Sequence, residues 1–106
     1  MKKVFWDYLI EIDEIKIKID EHGIVEKERF HLLRIVHQTF DAKLLEEVLT
    51  HLPKKKHKAF LDKFSKTPHH PTLLDHLKEE IDDIEEKIKK AVKKIKKEIL
   101  EELHKL

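Results

Sequence analysis

The chain has no cysteine, one glycine and three prolines among its 106 residues. Without cysteine there is no disulfide, no thiol nucleophile and no thiolate-ligated zinc. A single glycine cannot build the glycine-rich loop that cradles a phosphate. So few turn residues do not suit a β-sandwich or barrel, which needs a turn every few residues. No apolar run exceeds three residues, against the ~20 that a membrane-spanning helix requires. Neither sign of charge dominates: 23 basic and 22 acidic residues leave a net charge of +1. That gives no long-range pull toward nucleic acid or a lipid surface.

What remains is a chain of 40% apolar and 42% charged residues. It is too rich in Ile, Leu, Val and Phe to stay disordered, and its length suits one domain. The charge is arranged in blocks. Residues 1–52 carry 8 basic and 11 acidic groups, residues 53–78 carry 7 and 2, and residues 79–106 carry 8 and 9. Lys2-Lys3 resembles the start of an export signal, but Asp7, Glu11 and Asp13 interrupt the apolar stretch that should follow. With no cysteine, the expected setting is the cytoplasm.

Residues 4–21 place Phe5, Tyr8, Leu9, Ile12, Ile15 and Ile19 on one face at 100° per residue, which predicts a helix. Trp6, Ile10 and Ile17 form a second, thinner stripe, a candidate interaction surface. Gly23 reads as a helix end. Residues 25–52 hold two apolar clusters: Leu32, Leu33, Ile35, Val36 and Phe40, then Leu44, Leu45, Val48, Leu49 and Leu52. On a straight helix their centres lie about 160° apart. Either the helix breaks near 39–41, with Asp41 as an N-cap, or one long helix changes partners midway. Leu52-Pro53 ends it, and 54–65 forms a short helix with Ala59, Phe60, Leu61 and Phe64 on one side. The stretch 65–71, with two prolines, is a loop.

From Thr72, where Thr72 and Asp75 resemble a capping box, Leu74, Leu77, Ile81, Ile84, Ile88, Ala91 and Ile95 step by three and four. No Gly or Pro follows. A single helix over 72–106 would be ~52 Å long, whereas a compact domain of this size has a radius of gyration of ~13 Å. The expected fold is therefore all-α: a small bundle of four to five helices, with a core over 1–71 and a long amphipathic C-terminal helix that overhangs it. An overhang would leave an apolar stripe in water, at about 25 cal/mol per Å². That is the argument for a partner. Two copies crossing antiparallel near Ile88 would bury Ile81, Ile84, Ile88 and Ile95. They would also set the acidic block Glu79–Glu86 against the lysines that follow it.

Two other chemistries suit particular residues. Lys54, Lys55, Lys56 and Lys58 form one candidate anion-binding block, and Lys89, Lys93 and Lys96 form another. Both could contact nucleic-acid phosphates, although no Arg or aromatic lies among them to read or stack on bases. His69, His70, Asp75 and His76 cluster around one loop and could offer zinc ligands, though at no standard spacing. His31 and His37 do not share a helical face. Carboxylates are plentiful but lack any organising nucleophile–base arrangement, so the expectation is a protein without catalysis or cofactor.

The segments LLEEVLTHLPKKKHKAFLDKF and LLDHLKEEIDDIEEKI resemble a group of small uncharacterised all-helical domains encoded mostly by candidate-phylum bacteria. Their helices are punctuated by Leu-Pro. The resemblance covers residues 25–90. It implies a helical fold and no particular activity. The reading that follows is a non-catalytic helix-mediated interaction or assembly module, most simply a homo-oligomer. Accessory nucleic-acid or ribosome binding and His-based metal binding are the alternatives.

Overall fold

A computed structural model describes residues 4–105. Five α-helices occur among them: α1 (Asp13–Glu21), α2 (Glu26–His51), α3 (His57–Lys66), α4 (Pro71–Glu80) and α5 (Ile84–His104). Short 3-10 turns span Asp7–Leu9 and Lys54–Lys56. The all-α class and the long C-terminal helix follow the sequence reading; several boundaries do not.

The expected helix over 4–21 begins only at Asp13. The stretch before it has a tertiary role that a continuous helix could not fill. On a helix Phe5 and Trp6 would point 100° apart; here both are buried. Trp6 sits 5.4 Å from Phe64, ring centre to ring centre, and Phe5 sits 6.3 Å from it edge-on. The Phe5 amide donates to the Pro68 carbonyl at 2.8 Å. The Asp7 carboxylate takes the Val4 amide at 2.9 Å. These bonds tie the N-terminal strap onto the loop between α3 and α4.

Gly23 ends α1 as expected, with φ +63° and its amide bonded to the Asp20 carbonyl. α2 is unbroken through 39–41, and its buried positions Val36, Phe40, Leu44 and Val48 step by four straight across that point. Asp41 caps nothing; it accepts the Trp6 indole N–H at 3.0 Å. Pro53 opens the turn into α3, and His57 Nε2 donates to the Leu52 carbonyl left free at the end of α2.

The single C-terminal rod expected over 72–106 is instead two helices. α4 starts at Pro71, with His70 rather than Thr72 as its cap: His70 Nδ1 accepts from the Thr72 amide. α4 stops at Glu80, Ile81 is extended, and Asp83 takes the left-handed conformation at φ 55°. Aspartate tolerates that region better than most residues, at a cost of about 1–2 kcal/mol. The return folds Ile81, Ile84, Ile88, Val92, Ile95 and Leu103 into the core. At about 1.5–3 kcal/mol for each buried side chain, packing wins several-fold over the strained turn. Lys78 and Glu85 pair at 2.8 Å across the bend.

α5 lies between α1 and α2. Glu14–Lys96 and His22–Leu103 contacts show that α1 runs parallel to it. α2 runs antiparallel, with Lys43 bonded to Glu98 at 2.7 Å and His51 near Lys87 and Lys90. The radius of gyration is 15.1 Å, above the ~13 Å of a compact chain, and the molecule measures 46 × 24 × 19 Å. No helix among the described residues is long and apolar enough to cross a membrane.

Candidate protein-interaction surface

The fold disperses the predicted interface. Ile81, Ile84, Ile88 and Ile95 are buried by their own chain, Ile88 completely, so none offers surface to a second copy. The physical reason is the bend at 81–83, which brings the stripe back against α1 and α2. Trp6 is also wholly buried, and Ile10 is half-buried against the core. Only Ile17 remains open, 59% exposed on the outer face of α1.

Exposed apolar side chains lie instead near the start of α2. The first ten residues of α2, 26–35, contain no buried residue. Yet they carry Phe30, which is 66% exposed, together with Leu32, Leu33 and Ile35. From Val36 onward, Phe40, Leu44 and Val48 enter the core at every fourth position. Of the first apolar cluster seen in the sequence only Ile35 is open; Val36 and Phe40 are buried, Leu32 and Leu33 pack partly on the core, and the exposed Phe30 belongs to neither cluster. Tyr8 and Val25 are exposed as well.

Three of the seven expected anion-binding lysines have intramolecular partners. Lys56 pairs with Glu80 at 2.6 Å and holds its carboxyl below the usual range. Lys96 pairs with Glu14 at 3.3 Å and Lys89 with Glu86 at 3.5 Å. Lys54, Lys55, Lys58 and Lys93 are exposed without an ion pair among the described residues, as is Lys97. Hydrogen bonds lower the carboxyl pKa of Glu85, from Lys78, and of Glu98, from Lys43. Asp41 moves the opposite way, because burial outweighs its bond from Trp6. Partial burial, with the Glu85 carboxylate nearby, raises the Tyr8 hydroxyl.

The histidines do not assemble. His70 is occupied as a helix cap and His69 is exposed beside it. Among the described residues no three His, Asp or Glu side chains converge as a metal site.

One surface combines apolar and charged groups. Between α1 and α5 runs an open groove of about 650 Å³, with Ile17 and Leu100 along it and Lys18, Lys93, Lys96 and Lys97 on its rim. It unites Ile17 with Lys93 and Lys96, residues the sequence reading had assigned to separate functions. A second groove of about 520 Å³ between α2 and α5 is lined almost wholly by charged and polar side chains. No family model, curated protein or solved structure matches this chain.

Proposed function

We propose that the chain is a non-catalytic helical module that works by self-association. The observation behind this reading is the uncovered first third of α2, together with Ile17 on α1. Phe30 and Ile35 stay open on two sides of this helix end, and exposed apolar surface of this kind, where contiguous, marks binding sites. The partner proposed is another copy of the chain, in a cytoplasmic setting that suits a protein without cysteine.

Sedimentation equilibrium over a concentration series from about 5 to about 500 µM, which spans the range of weak complexes, tests the reading. The average mass is expected to rise with concentration. A strict monomer throughout overturns it.

A second reading is supported by the unpaired Lys93 and Lys97 and by the block at Lys54, Lys55 and Lys58. These could hold nucleic-acid phosphates. Counterion release then demands affinity for RNA or DNA that falls steeply with salt. No binding in low-salt buffer removes that reading.

A further inference from the structure

We propose that a second copy docks on the α1–α5 face, related by a two-fold axis running along the helices, so that α1 of each copy lies over α5 of the other. This rests on the self-association reading and names its surface. An interface between identical chains across a two-fold axis must be complementary to itself. The α1–α5 face meets that condition.

Positions three, four and seven apart share a helix face. On α1 the outward ridge is Asp13, Ile17, then Asp20 and Glu21, all exposed. On α5 the ridge beside the groove is Lys93, Lys97, Leu100 and His104. One ridge reads acid, apolar, acid; the other reads base and apolar, then Glu101 and His104, so the opposite charges meet at the Asp13 end.

The register is fixed within each chain. Glu14 bonds to Lys96, and the His22 ring to the Leu103 carbonyl. Parallel stacking across the two-fold axis preserves those levels. Asp13 of one copy then falls between the levels of Lys93 and Lys97 of the other, with Glu11 in the non-helical segment just ahead of it. Ile17 lies beside Leu100. Among the described residues Glu11, Asp13, Lys93 and Lys97 have no ion pair of their own, so their charges are free to cross the interface. An antiparallel stack would bring acid over acid near α1 and lose the apolar match.

The nine residues of α1 span about 14 Å, which sets the contact at the small end of specific interfaces. The dimer is therefore weak and sensitive to salt.

Two charge-reversed variants supply the test, Lys93→Glu with Lys97→Glu and Glu11→Lys with Asp13→Lys. All four positions are exposed, so circular dichroism should show both variants folded. Each alone is expected to raise the dimer dissociation constant tenfold or more, because like charges then face each other twice. Mixed in equal amounts, the two should form a heterodimer of near wild-type affinity, since both contacts are again opposite in sign. If the wild type associates but neither reversal weakens it, or mixing restores nothing, this face is wrong while self-association stands. Loss on Phe30→Glu alone would then move the contact to α2. A wild type monomeric at every concentration overturns both.

Discussion

α5 and the first third of α2 are both rich in large apolar side chains, and the fold treats them in opposite ways. Along α5, Ile84, Ile88, Val92, Ile95 and Leu103 are buried under α1, α2, α4 and the 3-10 turn at Asp7–Leu9 taken together. Along residues 26–35, Phe30 and Ile35 stay open and Leu32 and Leu33 are half covered. Helical periodicity says which side chains share a face. It does not say whether a neighbouring helix reaches that far. The chain's own helices run out before the start of α2, and the same chemistry that makes a core in one place leaves apolar surface in water in the other.

The sharpest way to break the contrast is to put a charge into each region. Ile88→Glu buries a carboxylate where no partner exists and should abolish the native state, seen as lost cooperativity in urea unfolding. A variant that stayed folded would show that α5 is not closed off as described. Ile88→Ala is the milder form, with an expected loss of about 2–5 kcal/mol in the same assay.

Gly23 joins α1 to the uncovered end of α2. Its φ is +63°, and a Cβ there would meet nothing within 4 Å. The penalty for Gly23→Ala is thus conformational alone, about 1 kcal/mol of stability by denaturant titration. No loss would mean that the turn relaxes freely.

Asp41 tests where the covered part of α2 begins. Its carboxyl pKa is raised by burial, so the folded state holds its proton more tightly than the unfolded chain. Stability from this group is therefore greatest below the unfolded pKa and falls as pH rises through the folded one. Asp41→Asn keeps an acceptor for the Trp6 indole and removes that penalty. It should be slightly more stable than wild type at pH 7, with the gain vanishing in acid. Glu80, Glu85 and Glu98 have lowered values, and their contribution runs the other way: present above the unfolded pKa and lost as pH falls through the folded one. A variant less stable than wild type at neutral pH would contradict the burial of Asp41.

The smallest expected effect on stability is in the uncovered region. Phe30→Ser should change unfolding free energy by no more than about 0.5 kcal/mol, because little of the ring is out of water. A loss of several kcal/mol would show that Phe30 belongs to the core.

Much of this was legible in the sequence. The helix stop at Gly23, the Leu52-Pro53 junction and the proline loop all stand out from local chemistry. The bend at 81–83 does not. Leu77, Ile81, Ile84 and Ile88 step by four, three and four across it, so the apolar pattern runs on without a gap. Only Asp83 marks the place, and aspartate is ordinary on a helix surface until packing demands otherwise. The N-terminal strap was hidden for the opposite reason: Phe5, Tyr8 and Ile12 keep helical spacing, while Phe64 and Pro68 draw the chain off that path. At the surface, the lysines were visible but their partners were not. Glu14 and Lys96 lie far apart in sequence, and only the fold brings them together.

Amide hydrogen exchange on dilute, monomeric protein compares the two regions directly. Amides of residues 88–95 should exchange only through global unfolding, and those of 26–35 through local fraying, on the order of a hundredfold or more faster. Equal protection of the two segments in the monomer would contradict an uncovered α2 end and a self-sheltered α5.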